Sequence, residues 1–167
     1  MGTYRWKTAV ITLSDKGYRG ERTDESGPAV RDMLPEEEYE VREIIVLPDE
    51  QGLIEQELIR LSDEERMDLI LTTGGTGFSE RDCTPEATLA VATRNAQGIA
   101  DAMRYYSLQI TPRAMLSRAV SVIRHKTLII NLPGSPKAVR ENLSFILPSL
   151  LHGLGILKGT DGECARS

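Results

Sequence analysis

The chain has 167 residues, of which 40% are apolar, 27% charged and only 5% aromatic, and its net charge is −5. That length and composition fit one globular domain with an aliphatic core, read here as residues 1–157 followed by a loose tail at 158–167. The acidic balance and the lack of a basic stretch exclude a non-specific nucleic-acid binder, and no apolar run approaches membrane-spanning length.

Residues 8–13 (TAVITL) predict a first strand, 41–47 (VREIIVL) a second and 67–73 (MDLILTT) a third. Their Val, Ile and Leu show little alternation, the pattern of parallel strands buried on both faces. Between the first two, 26–34 (SGPAVRDML) predicts a helix with serine and proline at its start. Ile54, Leu58 and Leu61 recur at i, i+4 and i+7 and give the next helix one apolar face. Beyond the third strand, Thr84 followed by Pro85 reads as an N-cap and first helical position. Ile99, Met103, Tyr106 and Ile110 then repeat at helical spacing. The runs 119–123 (AVSVI) and 127–131 (TLIIN) predict a hairpin that lacks the usual turn glycine. Ser135 and Pro136 open a last helix with a stripe of Val139, Leu143, Ile146 or Leu147, and Leu150, which Pro148 would break or kink. The order βαβαβ, two helices, hairpin, helix gives an α/β fold with helices on both faces of a mostly parallel sheet.

The two cysteines, Cys83 and Cys164, form no CxxC pair, and the first ten residues contain no apolar leader segment. A cytoplasmic location with reduced thiols is therefore expected.

Ligands of open α/β sheets bind beyond the carboxyl ends of the strands, so the residues that follow each strand matter most. Ser14 and Asp15 open a charged loop, SDKGYRGERTDE, after the first strand. Pro48 and Asp49 follow the second. Gly74, Gly75, Thr76 and Gly77 follow the third and lead to Arg81 and Asp82. LPGSP, residues 132–136, follows the hairpin. Glycines let backbone N–H groups approach a ligand and form an anion-binding nest, and the helix starting near Thr84 aims its positive end at the same region. Gly134 and Ser135 form a second cradle of this kind. Asp49 and Asp82 would repel phosphates held there, and a divalent cation such as Mg²⁺ resolves that conflict. The plainer roles are that Asp49 caps the helix behind it and Asp82 caps a turn. Arg81 either neutralises developing charge or lies on the surface, and Cys83 reads as a small buried residue. His125, expected in an exposed turn, and His152, on the last helix, receive no catalytic role. The glycine run is neither GxxxxGK[ST] nor GxGxxG, so the residues alone lead to a phosphate-binding α/β protein.

The stretch 72–88, TTGGTGFSERDCTPEAT, resembles the molybdopterin adenylyltransferases: the bacterial Mog-type enzymes and the G domains of gephyrin and its plant counterpart. Residues 114–139, AMLSRAVSVIRHKTLIINLPGSPKAV, resemble the same family's second signature, and 11–30, ITLSDKGYRGERTDESGPAV, its first-strand region. The resemblance implies a three-layer αβα domain, assembled as a homotrimer, with a mostly parallel sheet and a small hairpin. It implies transfer of AMP from Mg²⁺-ATP to the terminal phosphate of molybdopterin, with release of pyrophosphate. Asp49 and Asp82 are implied to be catalytic and to hold Mg²⁺. Ser14, Asp15, Gly74, Gly75, Thr76, Gly77, Pro133, Gly134 and Ser135 are implied to bind ATP and molybdopterin. The molybdenum-insertion protein is a further implied partner. A MoaB-type subgroup shares these motifs and includes non-catalytic binders, so a molybdopterin carrier or a trimeric scaffold domain stands as the alternative.

Overall fold

The structure is a computed structural model that describes residues 4–160, so Cys164 and most of the expected tail lie outside the described residues. The strands are β1 (Trp6–Leu13), β2 (Tyr39–Leu47), β3 (Leu69–Thr73), β4 (Arg94–Asn95), β5 (Ser121–Arg124) and β6 (Thr127–Leu132). The helices are α1 (Asp15–Tyr18), α2 (Ser26–Met33), α3 (Gln51–Ile59), α4 (Thr84–Val91), α5 (Gly98–Leu108) and α6 (Pro136–Lys158). A π-helical turn, Arg60–Glu64, extends α3, and a 3₁₀ turn, Pro112–Leu116, follows α5.

The sheet order is β2-β1-β3-β6-β5-β4. β1 pairs in parallel with β2 and β3, and β3 with β6, while β5 and β4 add antiparallel strands. The continuous apolar runs are explained by two cores. Val10, Leu69, Leu71, Leu128 and Ile130 enter one core with α2, α5 and α6. Their strand neighbours Ala9, Ile11, Ile70 and Ile129 enter the other with α3 and α4. Successive strand side chains point to opposite faces, so a strand covered on both sides must be apolar at every position. The expected α/β class with three αβα layers is what forms.

Four local expectations change. The run 41–47 was expected to be buried on both faces, but β2 is the edge strand and is half-exposed along most of its length. The hairpin turn has two residues, His125 and Lys126, because Arg124 pairs with Thr127. His125 takes φ 52° there, the left-handed position a glycine usually fills. Ile110 falls beyond the end of α5 and is exposed, so the stripe of that helix ends earlier. Pro148 does not end the last helix, which runs for 23 residues through it.

Chain order places the site. β1 is followed by β2 on one side and, after α3, by β3 on the other, so the region beyond the ends of β1 and β3 is a topological switch point. The register sets Thr12 beside Thr73 and Thr73 beside Leu132, which brings three strand ends level. Asn131, fully buried on β6, locks this layer. Its amide donates to Thr72 Oγ1 (3.0 Å) and Thr88 Oγ1 (2.9 Å), and its carbonyl accepts from the Val120 N–H (3.2 Å). Removing it strands buried polar groups, at a cost of about 1–3 kcal/mol for each group left unsatisfied. Asn131→Ala is therefore expected to lower the unfolding free energy by about 2–3 kcal/mol in urea titration; a loss below about 0.5 kcal/mol, within the range of ordinary surface substitutions, would contradict this role.

Candidate functional site

The ends of β1, β2, β3 and β6 converge on one rim, as expected. The glycine loop carries the closest approach. Gly74 has φ 96° and Gly75 φ 68°, a region L side chains avoid. A Cβ on Gly74 would lie 2.5 Å from the Leu13 carbonyl oxygen, and one on Gly75 would run into Thr84 Oγ1 and lie 3.0 Å from Asp49 Oδ1. Gly134 abuts the same turn, 3.3 Å from Gly74 Cα by the same measure. The Gly74 N–H is already used on the Leu132 carbonyl (3.3 Å). Among the described residues the N–H groups of Gly75, Thr76 and Gly77 donate to no protein acceptor. The anion nest therefore begins one residue later than the glycine run.

Thr84 does not cap α4. It is the first helical residue, Cys83 holds the cap position without a side-chain bond, and Thr84 Oγ1 donates to the Gly74 carbonyl (3.0 Å). The hydroxyl ties the helix start to the loop instead. Ser135 does cap α6, accepting from the Ala138 N–H (3.2 Å), and Ser14 caps the short α1 by accepting from the Gly17 N–H (3.0 Å).

Ser14, Gly74, Gly134 and Ser135 line an open cavity of about 550 Å³. Asp49 lines a neighbouring hollow of about 430 Å³ with Arg81 and Cys83. Gly74 and Gly75 link the two, one lining the cavity and the other facing the Asp49 carboxylate. Pro133 is set apart. It lines a separate cavity of about 220 Å³ beside α5 and α6, and its carbonyl accepts from Thr73 Oγ1 (2.6 Å).

Asp49 is the most unusual group. It does not cap α3, whose cap position is Glu50. Its Oδ2 accepts the Asp15 N–H (3.2 Å), while its Oδ1 is buried and has no hydrogen-bond partner. Burial pushes its carboxyl above the usual range; the charges of Asp15 and Asp82 add to this, and the Asp15 N–H and Arg81 oppose it. Asp82 does close a turn, accepting the Ser79 N–H at Oδ2 (3.0 Å). That leaves its other oxygen for a further role. Arg81 is neither free nor idle: its guanidinium holds Asp15 through two bonds of 2.9 and 3.0 Å and keeps that carboxyl below its ordinary range. Cys83 is pushed up by burial and then by nearby carboxylates, so its thiol stays protonated and is a poor nucleophile.

Asp49 offers an oxygen that a cation would compensate. A buried oxygen without a partner is costly unless something compensates its charge, and Asp49 Oδ1 is such an atom. Among the described residues no group of three or more His, Cys, Asp or Glu side chains could hold a metal. A site that offers few protein carboxylates and takes its remaining ligands from phosphate and water is the kind Mg²⁺ occupies, since it rarely takes an all-protein cage.

Sequence reasoning missed several lining residues. Arg22 is, among the described residues, the one cation lining the large cavity. Asp24 accepts from the N–H groups of Ser26 (3.1 Å) and Gly27 (3.0 Å) and from Thr12 Oγ1 (3.0 Å), and Ser26 donates to the Gly134 carbonyl (2.7 Å). An Asp just ahead of Ser-Gly-Pro at a helix start was a readable capping signal. Arg118 had none. It donates to the carbonyls of Gly77 (2.7 Å) and Asp82 (2.8 Å) and pairs with Glu86, and its N–H donates to Thr76 O (2.8 Å). It clamps the glycine loop from 41 residues away in sequence.

Known proteins resemble this chain over most of its length. The profile of a family described as probable molybdopterin binding domain matches residues 9–152. A molybdopterin adenylyltransferase of Escherichia coli K12 is 42% identical over 157 residues, covering 89% of this chain and 79% of that protein. A gephyrin of Dictyostelium discoideum is 44% identical over 91% of this chain, which spans 22% of that longer protein. The crystal structure of a molybdopterin biosynthesis enzyme, MoaB, from Thermus thermophilus superposes with TM-score 0.87 at 46% identity, covering 92% of this chain and 97% of that one.

The raised carboxyl of Asp49 has a consequence for stability. A folded-state value above the unfolded one means that the ionised form weighs against the fold at neutral pH. The penalty is absent below the ordinary carboxylate range and complete above the raised value. Asp49→Asn should therefore raise the melting temperature of the metal-free protein at pH 7 by about 2 °C or more. The gain should shrink as pH falls through that window. An unchanged or lower melting temperature in a thermal scan would show that the carboxylate is already compensated.

Proposed function

The chain belongs to the family of probable molybdopterin binding domains, and from that premise we propose that it is a molybdopterin adenylyltransferase acting in the cytoplasm as a single domain of residues 1–157. In this reading an oxygen of the terminal phosphate of molybdopterin attacks the α-phosphorus of ATP. The bond from that phosphorus to the bridging oxygen breaks, and pyrophosphate leaves. The observation that carries the reading is the unpartnered Asp49 Oδ1, buried against the glycine turn in the hollow next to the open cavity.

The chain's own groups divide the work. The N–H groups of Gly75, Thr76 and Gly77, together with the capped start of α6 at Ser135, hold phosphate oxygens without moving, because Arg118, Thr84 and Asn131 fix the backbone behind them. Asp49 and Asp82 would hold Mg²⁺, which when bound supplies charge neutralisation at the transferring phosphoryl group. Ser14, Gly74, Gly134 and Arg22 line the space for the substrates. Positioning and charge stabilisation supply most of the catalysis in phosphoryl transfer, so no covalent nucleophile is required and the protonated Cys83 is left out. The relatives named molybdopterin adenylyltransferase support the same assignment.

The reading includes a homotrimer and docking to the molybdenum-insertion protein. Exposed apolar side chains on α5 and the turn after it support assembly: Tyr105 is 69% and Met115 64% exposed, with Leu108, Ile110 and Leu116 beside them in sequence. Isolated exposed apolar residues are ordinary, and in this reading these side chains join into one contact surface.

Purified protein given molybdopterin, ATP and Mg²⁺ should release pyrophosphate, and Asp82→Asn should slow that release by about 100-fold or more, the scale of losing one charge-stabilising group. Molybdopterin binding without release would replace the enzyme by a carrier. In sedimentation equilibrium the native chain should run as a trimer and Met115→Glu as a smaller species; a native monomer at micromolar concentration would remove the assembly.

A further inference from the structure

We propose that Asp15 and Arg81 form a clamp that positions the Asp49 carboxylate for its cation, acting through Asp49 rather than on a substrate; this rests on the adenylyl-transfer reading above. The two acids hold each other by their backbones. The Asp15 N–H donates to Asp49 Oδ2 (3.2 Å), and the Asp49 N–H donates to Asp15 Oδ1 (3.0 Å). The register of β1 and β2 sets this up, because Leu13 lies beside Leu47 and each strand has one residue more before its acid. Two carboxylates this close would repel one another, and Arg81 offsets that. Its Nε donates to Asp15 Oδ2 (3.0 Å) and a terminal nitrogen donates to Asp15 Oδ1 (2.9 Å).

The consequence lies in which oxygen of Asp49 is left. Oδ2 is pinned by the Asp15 backbone, so Oδ1 alone faces the glycine turn, without a partner. Both oxygens of Asp15 are committed to Arg81, and one also to Asp49 N–H, so Asp15 has its own carboxylate turned to scaffolding. The residue does not line the large cavity. Arg81 comes from the loop after β3, so the clamp joins the ends of β1, β2 and β3 through one guanidinium. An exposed ion pair by itself contributes little. This one instead fixes an orientation, which a planar two-pronged guanidinium does and a lysine does not.

The test uses the full chain without nucleotide, titrated with Mn²⁺ and followed by electron paramagnetic resonance of the free ion. Asp15→Ala and Arg81→Ala should each weaken Mn²⁺ binding by about 10-fold or more, as loss of a group that orients a metal ligand does. Arg81→Lys should recover little of the loss, because a lysine cannot reproduce the two-pronged contact. The double variant should bind no more weakly than Asp15→Ala alone, because Arg81 acts through Asp15. Melting temperatures close to the native value, with Asp15→Asn as a milder second variant, separate misplacement from unfolding. Unchanged Mn²⁺ affinity in Arg81→Ala with a raised KM for ATP would make Arg81 a nucleotide contact and overturn the clamp. Additive losses would overturn it as well, and so would a native chain that binds no Mn²⁺. Coupled losses in a chain that releases no pyrophosphate would uphold the clamp while the adenylyl-transfer reading failed.

Discussion

The backbone of Gly74 lies against the end of β1 on one side and Gly134 on the other. No side chain fits at Gly74, since its Cβ would lie 2.5 Å from the Leu13 carbonyl oxygen. This contact sets the site. It brings three parallel strand ends to one depth and turns the chain with positive φ at two successive residues, and among the described residues the N–H groups of Gly75, Thr76 and Gly77 have no protein acceptor. The cavity and the acid-lined hollow both border this turn, so anything that pushed it outward would reshape both at once.

Behind the turn stands a set of buried polar contacts that leave the loop little freedom. Asn131 joins Thr72 and Thr88, Thr84 holds the Gly74 carbonyl, Thr73 holds the Pro133 carbonyl and Ser26 holds the Gly134 carbonyl. Each side-chain group here is satisfied, which is the condition under which a buried polar network rigidifies rather than weakens a core. Arg118 adds a clamp from the outside. The backbone donors are thus preorganised before any ligand arrives, which is what electrostatic stabilisation of a charged transition state requires.

Asp49 is the exception to this satisfaction. Its buried, unpartnered oxygen and raised carboxyl oppose folding, and under the proposed function they serve the site. Asp15 and Asp82 lie near enough to raise it further, and Arg81 and the Asp15 N–H hold the cost down. Tyr39 Oη, Ser62 Oγ and Asp68 Oδ1 are also buried without a hydrogen bond, but of these four groups Asp49 is the one beside the glycine turn, and a perturbed carboxyl in such a place is a pattern of functional sites.

The fold class was legible in the sequence because a sheet covered on both faces needs apolar residues at consecutive strand positions, and TAVITL and MDLILTT show that directly. The glycine run, the two acids and the LPGSP turn were legible as strand-end residues for the same reason. The half-exposed β2 was not, since edge position depends on strand order and not on the composition of VREIIVL. The role of Thr84 was not legible either, because a Thr-Pro pair looks the same whether its hydroxyl serves its own helix or a carbonyl ten residues back. The side chains of Ser26, Arg81 and Arg118 act through partners 32 to 108 residues away. Local sequence determined the main strands and helices, though not β4 or the short α1, and which residues follow each strand. The tertiary structure alone decided which Asp49 oxygen stays without a partner and which arginine holds what, because hydrogen bonds between distant segments depend on strand register and not on neighbours in the chain.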